Sequence, residues 1–249
     1  MPGKSSTVAA WEQLNRRIVR CARCPRLRAY GTQVARQKRR AYADQEYWGR
    51  PVPNFGDPQA RLLVVGLAPA AHGAHRTGRM FTGDRSGQWL YRALYRSGFA
   101  TQPESLRRDD GLRLVDCAIT AVCHCAPPGN KPTRDELQHC RAWLHATLEL
   151  LPVRVLVALG QVAWQGVVDA VRHRGWLPGR APRFAHGAVV GLSGERWLLG
   201  SYHPSQQNTF TGRLTEPMFD RVFATARRLL SRLPNPAAGG IDATSNSKR

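Results

Sequence analysis

The chain is short of acid, of long apolar runs and of several familiar fingerprints. Its 249 residues hold 17 Asp and Glu against 37 Lys and Arg, a formal net charge of +20. Charge this one-sided attracts a polyanion, either nucleic acid or an anionic membrane. The longest apolar runs, such as Val153-Arg-Val-Leu-Val-Ala-Leu159, stop at strand length. None approaches the ~20 residues that a bilayer-crossing helix needs. Met1-Pro-Gly-Lys-Ser-Ser is not followed by the apolar core of a signal peptide. A membrane partner falls away and nucleic acid leads. A cytoplasmic location is expected, on the nucleoid if the chain is prokaryotic. No internal repeat is visible. No Gly-x-Gly-x-x-Gly follows the first apolar run, and the Cys-x3-Cys-x2-Cys spacing of radical enzymes is missing. Both absences argue against dinucleotide or radical chemistry.

What is present is organised around one loop. Arg61-Leu-Leu-Val-Val-Gly66 reads as a buried parallel strand. It runs into a long stretch of small residues ending at Asp84, which carries His72, His75, Arg76, Arg79 and Phe81. A loop this long inside a compact domain is usually functional. Small residues in it suit a backbone that something approaches closely.

Residues 1–6 read as a loose tail, 7–232 as a single domain and 233–249 as a disordered, Pro-, Ala- and Gly-rich tail. Helical spacing covers Thr7 to Arg20, with Thr7 or Ser6 as cap. Pro25 is expected to stop that helix. Residues 26–60 read as a basic, irregular excursion, where Gln37-Lys-Arg-Arg40 either touches phosphate or is a solvated face. A helix over 87–97 follows, capped by Ser86. Further strands are expected from Leu112 to about Val122, over Val153–Leu159, and ending at Gly200. Helices are expected from the capping box Thr133–Glu136 to Leu150, over Gln161–Val171, and over Glu216–Leu230. This alternation predicts an α/β fold with a parallel sheet and helices on both faces. The loops after strands one, two and four then share one carboxyl edge.

Six cysteines are present, Cys21, Cys24, Cys117, Cys123, Cys125 and Cys140. Cys-x-x-Cys in a cytosolic chain suggests metal or redox work more than a structural disulfide. Four thiolates suit either structural zinc or a [4Fe–4S] cluster. The wide second pair favours the cluster on spacing. Cys117 sits in a strand and reads as core. Cys123 stands two residues from Cys125 and competes with it as a ligand.

Gly66-Leu-Ala-Pro-Ala with Arg76-Thr-Gly-Arg-Met-Phe-Thr-Gly-Asp84, Cys125-Ala-Pro-Pro-Gly-Asn130 and His203-Pro-Ser205 together resemble the uracil-DNA glycosylase superfamily, in particular its iron–sulfur type B (family 5) group. The resemblance runs from about Cys21 to Leu230. It implies a three-layer α/β/α sandwich with a central four-stranded parallel sheet. It implies a [4Fe–4S] cluster on Cys21, Cys24, Cys125 and Cys140. It implies a hydrolase that excises deaminated or damaged bases, uracil, hypoxanthine and ethenocytosine among them, from DNA; double-stranded and also single-stranded DNA are the expected partners, and a monomer the expected state.

The chemistry suits those residues. A base must leave the stack before it can be reached. Phe81 matches the ring that stacks on it. His203 suits the stabilisation of the departing base anion. The best-known relatives carry an acidic residue where this chain has Ala68, an absence that the type B group shares. Asp84 is therefore assigned to the water or the sugar cation, with helix capping as its plainer role. Many relatives read uracil with an Asn where Ala121 stands here, so discrimination should relax. Asn130 then contacts base or sugar, or is a turn residue. Gly66 and Ala68 offer close backbone approach, and Ser205 belongs to the loop over the minor groove. Phe210 reads as a wedge or as core, and Arg213 as a phosphate contact. His72 and His75 read as loop packing. The competing function is a non-catalytic iron–sulfur module that binds nucleic acid.

Overall fold

The apolar runs become strands because both of their faces are covered. The structure, a computed structural model, describes residues 4–232. Its strands are β1 (Phe55–Gly56), β2 (Leu62–Gly66), β3 (Cys117–Ala121), β4 (Val155–Leu159), β5 (Val189–Leu192) and β6 (Arg196–Ser201). Its α-helices are α1 (Lys4–Val19), α2 (Pro25–Gln37), α3 (Ala74–Thr77), α4 (Arg85–Arg96), α5 (Arg134–Leu150), α6 (Gln161–His173), α7 (Gln206–Phe210) and α8 (Glu216–Ser231). Every residue of β2, β3 and β4 is buried. Leu62 and Val64 share a cluster with Leu90 and Leu94 of α4 and Phe219 and Phe223 of α8. Leu63 and Val65 share another with Trp11, Leu144 of α5 and Val167 of α6. That two-residue alternation makes three layers.

The sheet order is β1-β3-β2-β4-β6-β5. β3, β2, β4 and β6 are parallel, with Leu62 opposite both Cys117 and Val155. These four are the expected strands. The sheet is nevertheless six-stranded, because β1 and β5 add antiparallel edges. Both edges are short, which limits the unpaired backbone they expose. Chain direction across the sheet reverses beside β2, and such a switch point opens a crevice at the carboxyl ends of the strands.

Three local expectations are corrected. α1 begins at Lys4, so the expected tail 1–6 shrinks to residues outside the description; the expected tail 233–249 also lies outside the described residues. α1 ends at Val19, before Pro25 is reached, and Pro25 does not stop it but opens α2 at its first position. Proline there loses no hydrogen bond and arrives with helical φ. The cap of α4 is Asp84, whose carboxylate accepts from the Gly87 N–H, and not Ser86. The Thr133–Glu136 capping box of α5 forms as expected.

The loop between β2 and α4 is pinned by a buried guanidinium. Arg79 donates to both oxygens of Asp110 at 2.7 Å, to Ser105 Oγ at 3.1 Å and to Thr82 Oγ1 at 2.8 Å. Asp110 in turn accepts from the N–H groups of Leu106, Arg107 and Leu112. Burial alone would raise its carboxyl. The bonds from Arg79 and the backbone outweigh that and hold it at about 2. Breaking such a pair strands a buried charge, at about 3–5 kcal/mol. Arg79→Ala should therefore lower the urea midpoint by a large fraction of the total stability. A carboxyl depressed in the folded state contributes fully above its ordinary value of 3.8 and loses the contribution as pH falls toward 2. Asp110→Asn should start from lower stability at pH 7 and flatten the pH dependence between 4 and 2. Urea titrations of both proteins at pH 7 and pH 3 check this; an Asp110→Asn protein with the parent's acid sensitivity would assign the loop's fixation elsewhere.

Candidate active site

A cavity of about 850 Å³ opens at the carboxyl ends of the parallel strands. Ala68, Phe81, Asp84, Ala121, Asn130, His203 and Ser205 all line it. The loops after β2, β3 and β6 thus converge as the alternation predicts. Gly66 stands behind the wall instead of on it. A Cβ there would lie 2.8 Å from the Phe81 ring, so the glycine lets the ring lie on the strand end. Phe81 has φ 52°, a left-handed conformation that costs a non-glycine residue about 1–2 kcal/mol. Its ring centre is 5.8 Å from that of His203, with the planes inclined at 32°.

His203 is half-buried in the cavity wall. Desolvation pushes its imidazole down to about 4, so it is neutral near pH 7. Its carbonyl accepts from Ser205 N at 2.8 Å and Asn208 Nδ2 at 2.9 Å, which fixes the turn that carries it. Ser205 itself caps α7, accepting from Asn208 N at 3.4 Å. Asp84 Oδ1 accepts from Gly87 N at 2.9 Å. Its other oxygen lies over Gly73, where a Cβ would approach to 1.9 Å. Burial raises the Asp84 carboxyl; the N–H groups of Gly87 and Ser86 and the charge of Arg76 restrain the rise. Asn130 sits exposed on the rim with φ 57°. Its position is a turn, and its side-chain amide makes no hydrogen bond among the described residues.

His75 is a packing residue, buried with Nε2 3.0 Å from the Gly31 carbonyl. His72 lines the cavity and its Nδ1 lies 3.0 Å from Tyr47 Oη. Arg76 ties the loop's two ends together by donating to the carbonyls of His72 and Gly83 at 2.8 Å. Phe210 is 67% exposed, which removes the core alternative. The Arg85 guanidinium lies 4.3 Å from its ring centre. Arg213 stacks on Tyr202. Sequence reasoning missed Tyr30, Arg39 and Tyr42, which close the cavity from the stretch taken as irregular. The signal was there: Leu27, Gly31 and Val34, the buried residues of α2, recur at helical spacing.

Cys21, Cys24, Cys123, Cys125 and Cys140 line a second, small cavity between the α1–α2 junction and α5. Arg26 of α2 clasps Glu136 of α5 with two bonds of 2.7 Å and so brings the two sides together. All five thiols are free of disulfides. Burial and neighbouring thiols push Cys24 up to about 11 and Cys125 up to about 12. A hydrogen bond between Cys123 and Cys140 lowers the first and raises the second. Cys117 is separate, buried in β3 as expected. Among the described residues no three His, Cys, Asp or Glu side chains are arranged to hold a metal ion. The donor set still fits a larger iron–sulfur group: several unpaired thiols share one cavity, and Arg17 and Arg23 lie 5.7 and 5.1 Å from the ring centre of Trp143 in its wall.

Comparison with known proteins agrees with this geometry. A sequence profile described as "Uracil DNA glycosylase superfamily" matches residues 53–227. The chain is 55% identical over 223 residues to a Mycobacterium leprae protein named type-5 uracil-DNA glycosylase, covering 87% of this chain and 94% of that one. A Thermus thermophilus protein of the same name is 51% identical over 213 residues, covering 85% and 94%. A type-4 uracil-DNA glycosylase of Pyrobaculum aerophilum is 30% identical over 162 residues, covering 64% and 74%. No described helix is long and apolar enough to cross a membrane. The profile spans most of the fold and all three motif loops that wall the cavity, and on that ground the chain belongs to the uracil DNA glycosylase superfamily.

Proposed function

We propose that this chain is a monofunctional DNA-repair glycosylase that hydrolyses the N-glycosidic bond of an extruded uracil. One observation carries the reading: an aromatic ring, a neutral imidazole and a half-buried carboxylate meet in one cavity at the switch point of the sheet. The flipped base stacks on Phe81. As the C1′–N bond breaks, its electron pair leaves with the base and the sugar becomes cationic. His203 donates an N–H to the base oxygen where the negative charge gathers. A neutral donor serves here, and removing such a donor typically costs 10²–10³ in rate. Asp84 takes the proton of a water that attacks C1′. Burial makes its carboxylate a stronger base than an exposed one. The products are free base and an abasic sugar.

The wider range of substrates is part of the proposal. At position 121 the cavity is lined by a methyl group and has no amide. A methyl selects shape but cannot demand the edge of uracil. Hypoxanthine and ethenocytosine are therefore included, as is single-stranded DNA. The proposed protein acts as a monomer. A [4Fe–4S] cluster on Cys21, Cys24, Cys125 and Cys140 completes the reading, supported by the shared thiol cavity and the clasp of Arg26 on Glu136. Bound there, it would supply a rigid cross-link between the α1–α2 junction and α5, since hydrolysis transfers no electron. Cys123 is the fifth thiol and the one to be tested against Cys125.

The deciding assay uses duplexes that carry one uracil, hypoxanthine or ethenocytosine, followed by hot alkali. Scission that depends on alkali is expected at all three; cleavage at uracil alone would end the wider range, and none at all would end the proposal. Asp84→Asn keeps an oxygen for the Gly87 N–H, so it should retain the melting temperature yet lose 10²–10⁴ in turnover. Asp84→Ala should lose turnover and about 1 kcal/mol of stability. Wild-type turnover in Asp84→Asn would reduce the residue to a cap. The pH profile should carry an acid limb above the ordinary carboxyl value of 3.8, because the base must be ionised and its carboxyl is raised. His203, at about 4, should add no titration between pH 6 and 8. A histidine-like inflection there that disappears in His203→Ala would contradict the neutral-donor role. Finally, Cys125→Ser should lose iron and the brown colour while Cys123→Ser keeps both; the reverse pattern by iron analysis would exchange the two ligands.

A further inference from the structure

The arginines of this chain fall into two groups. Arg26, Arg61, Arg79, Arg92 and Arg96 each face a carboxylate. Arg154, Arg174 and Arg196 form no ion pair among the described residues, although they are neighbours. The guanidinium carbons of Arg174 and Arg196 lie 4.8 and 4.1 Å from the centre of the Trp176 ring. Arg154 and Arg196 both donate to the Gly194 carbonyl, at 2.8 and 3.5 Å. The Nε atoms of Arg174 and Arg196 are buried without a hydrogen-bond partner. Burial and the charges of Arg154 and Arg174 hold Arg196 below the usual arginine range. Glu195 is exposed in the adjoining turn and likewise forms no ion pair.

Like charges gathered without a counter-charge destabilise a fold through self-repulsion. What the arrangement provides is a preorganised binding edge. A guanidinium stacked on an indole keeps its plane fixed and leaves N–H groups at its rim, the geometry that meets phosphate oxygens in pairs. The position is as informative as the chemistry. Arg154 precedes β4, Arg196 opens β6 and Arg174 ends α6, so the cluster sits at the amino ends of the strands. The catalytic cavity is at their carboxyl ends. β4 alone separates the two by five residues, about 17 Å of extended chain. Duplex DNA has a persistence length of about 150 bp and does not fold back over so short a distance without large cost. One duplex seated at the cavity therefore does not serve both ends.

We infer that Arg174 and Arg196, stacked on Trp176, form together with Arg154 a second DNA-backbone site that holds a segment other than the one being repaired. The inference rests on the glycosylase reading only for the identity of the polyanion. Backbone contacts carry no sequence information and support movement along and between segments. A protein that grips two segments can pass from one to the other without entering bulk solution, which suits a search for rare bases.

The test counts duplexes. At low salt the wild-type chain should bind two short, lesion-free duplexes, resolved by native mass spectrometry and anisotropy. The triple variant Arg154→Gln, Arg174→Gln, Arg196→Gln should bind one. Loss of three phosphate contacts corresponds to a log–log salt slope of about −2.7 for the missing event. The wild type should also bridge an immobilised duplex to a free plasmid, and the variant should not. Base release from a short uracil duplex in a single turnover should stay within twofold of wild type. If the triple variant does not melt cooperatively, Arg154→Glu alone serves, since Arg154 is not stacked on Trp176; it should lose the second event. A single binding event in the wild type, or two unchanged events in the variants, overturns the inference. Failure of both wild type and variant to release base would overturn the glycosylase reading instead and leave the count of duplexes to stand.

Discussion

The wall of the cavity at the switch point depends on one buried guanidinium. Between β2 and α4 the chain runs through residues 67–84 with only a single turn of helix, so few ladder hydrogen bonds hold it. Arg79 replaces them. It joins Asp110, Ser105, Thr82 and the Arg108 carbonyl, and so fastens the loop to a second irregular segment. Arg76 fastens the same loop to itself, from the His72 carbonyl to that of Gly83. Between these two anchors Phe81 is held in a left-handed conformation. Such strain persists only where surrounding contacts over-determine it. An ordering cost met on folding is not met again when the base arrives, and this is what preorganisation contributes to binding and rate.

The same economy governs Asp84. A carboxylate at a helix start is ordinarily stabilised there, by the N–H groups it accepts and by the helix dipole. Those effects favour the charged form and would leave a weak base. Burial works in the other direction and dominates, so the residue remains anchored by one oxygen while its charge is poorly solvated. Gly73 makes this possible by leaving the space the second oxygen occupies. His203 meets the complementary requirement. With no partner charge to hold its proton, desolvation keeps it neutral. A carboxyl raised by burial and a neutral imidazole thus share one cavity, and Asp84, at the far end of the loop that begins beside Ala68, is the carboxylate proposed to act there.

Legibility in the sequence followed the range of the forces involved. β2 and β4 were plain because both of their faces are buried, which writes an unbroken apolar run. The α5 capping box was plain because its two partners are three residues apart. Phe81, Asp84 and His203 came from motif resemblance, and the cavity unites them. β5 was missed because its pairing with β6 alternates exposed and covered positions and is too short to stand out. α2 was missed because Pro25 carries opposite meanings at the end and the beginning of a helix. The Ser86 cap was misplaced by two residues, since Asp and Ser cap equally well and only geometry decides. The Arg79–Asp110 pair spans thirty-one positions, and no local pattern announces it. Nor could spacing separate Cys123 from Cys125, which reach the same cavity two residues apart.

The scarcity of acid ties these features together. With few carboxylates available, each one placed inside the fold leaves an arginine outside without a counter-charge. Glu136 joins α2 to α5, Asp116 fixes the start of β2 through Arg61, and Asp110 secures the loop. Glu216 and Asp220 join α8 to α4 through Arg92 and Arg96. These pairs act as struts, each linking two segments, the last of them at the surface. With 37 basic residues against 17 acidic ones, most of the positive charge has no carboxylate to meet and is left for a polyanion. Arg39 and Arg85 stand at the cavity, where a DNA strand must pass for a base to enter. Arg154, Arg174 and Arg196 stand at the opposite end of the sheet; Trp176 holds Arg174 and Arg196, and the Gly194 carbonyl holds Arg154, without acid. An indole fixes a guanidinium without neutralising it. Positioning and charge are thereby separated, and that separation makes the far end of the molecule a binding surface instead of another strut.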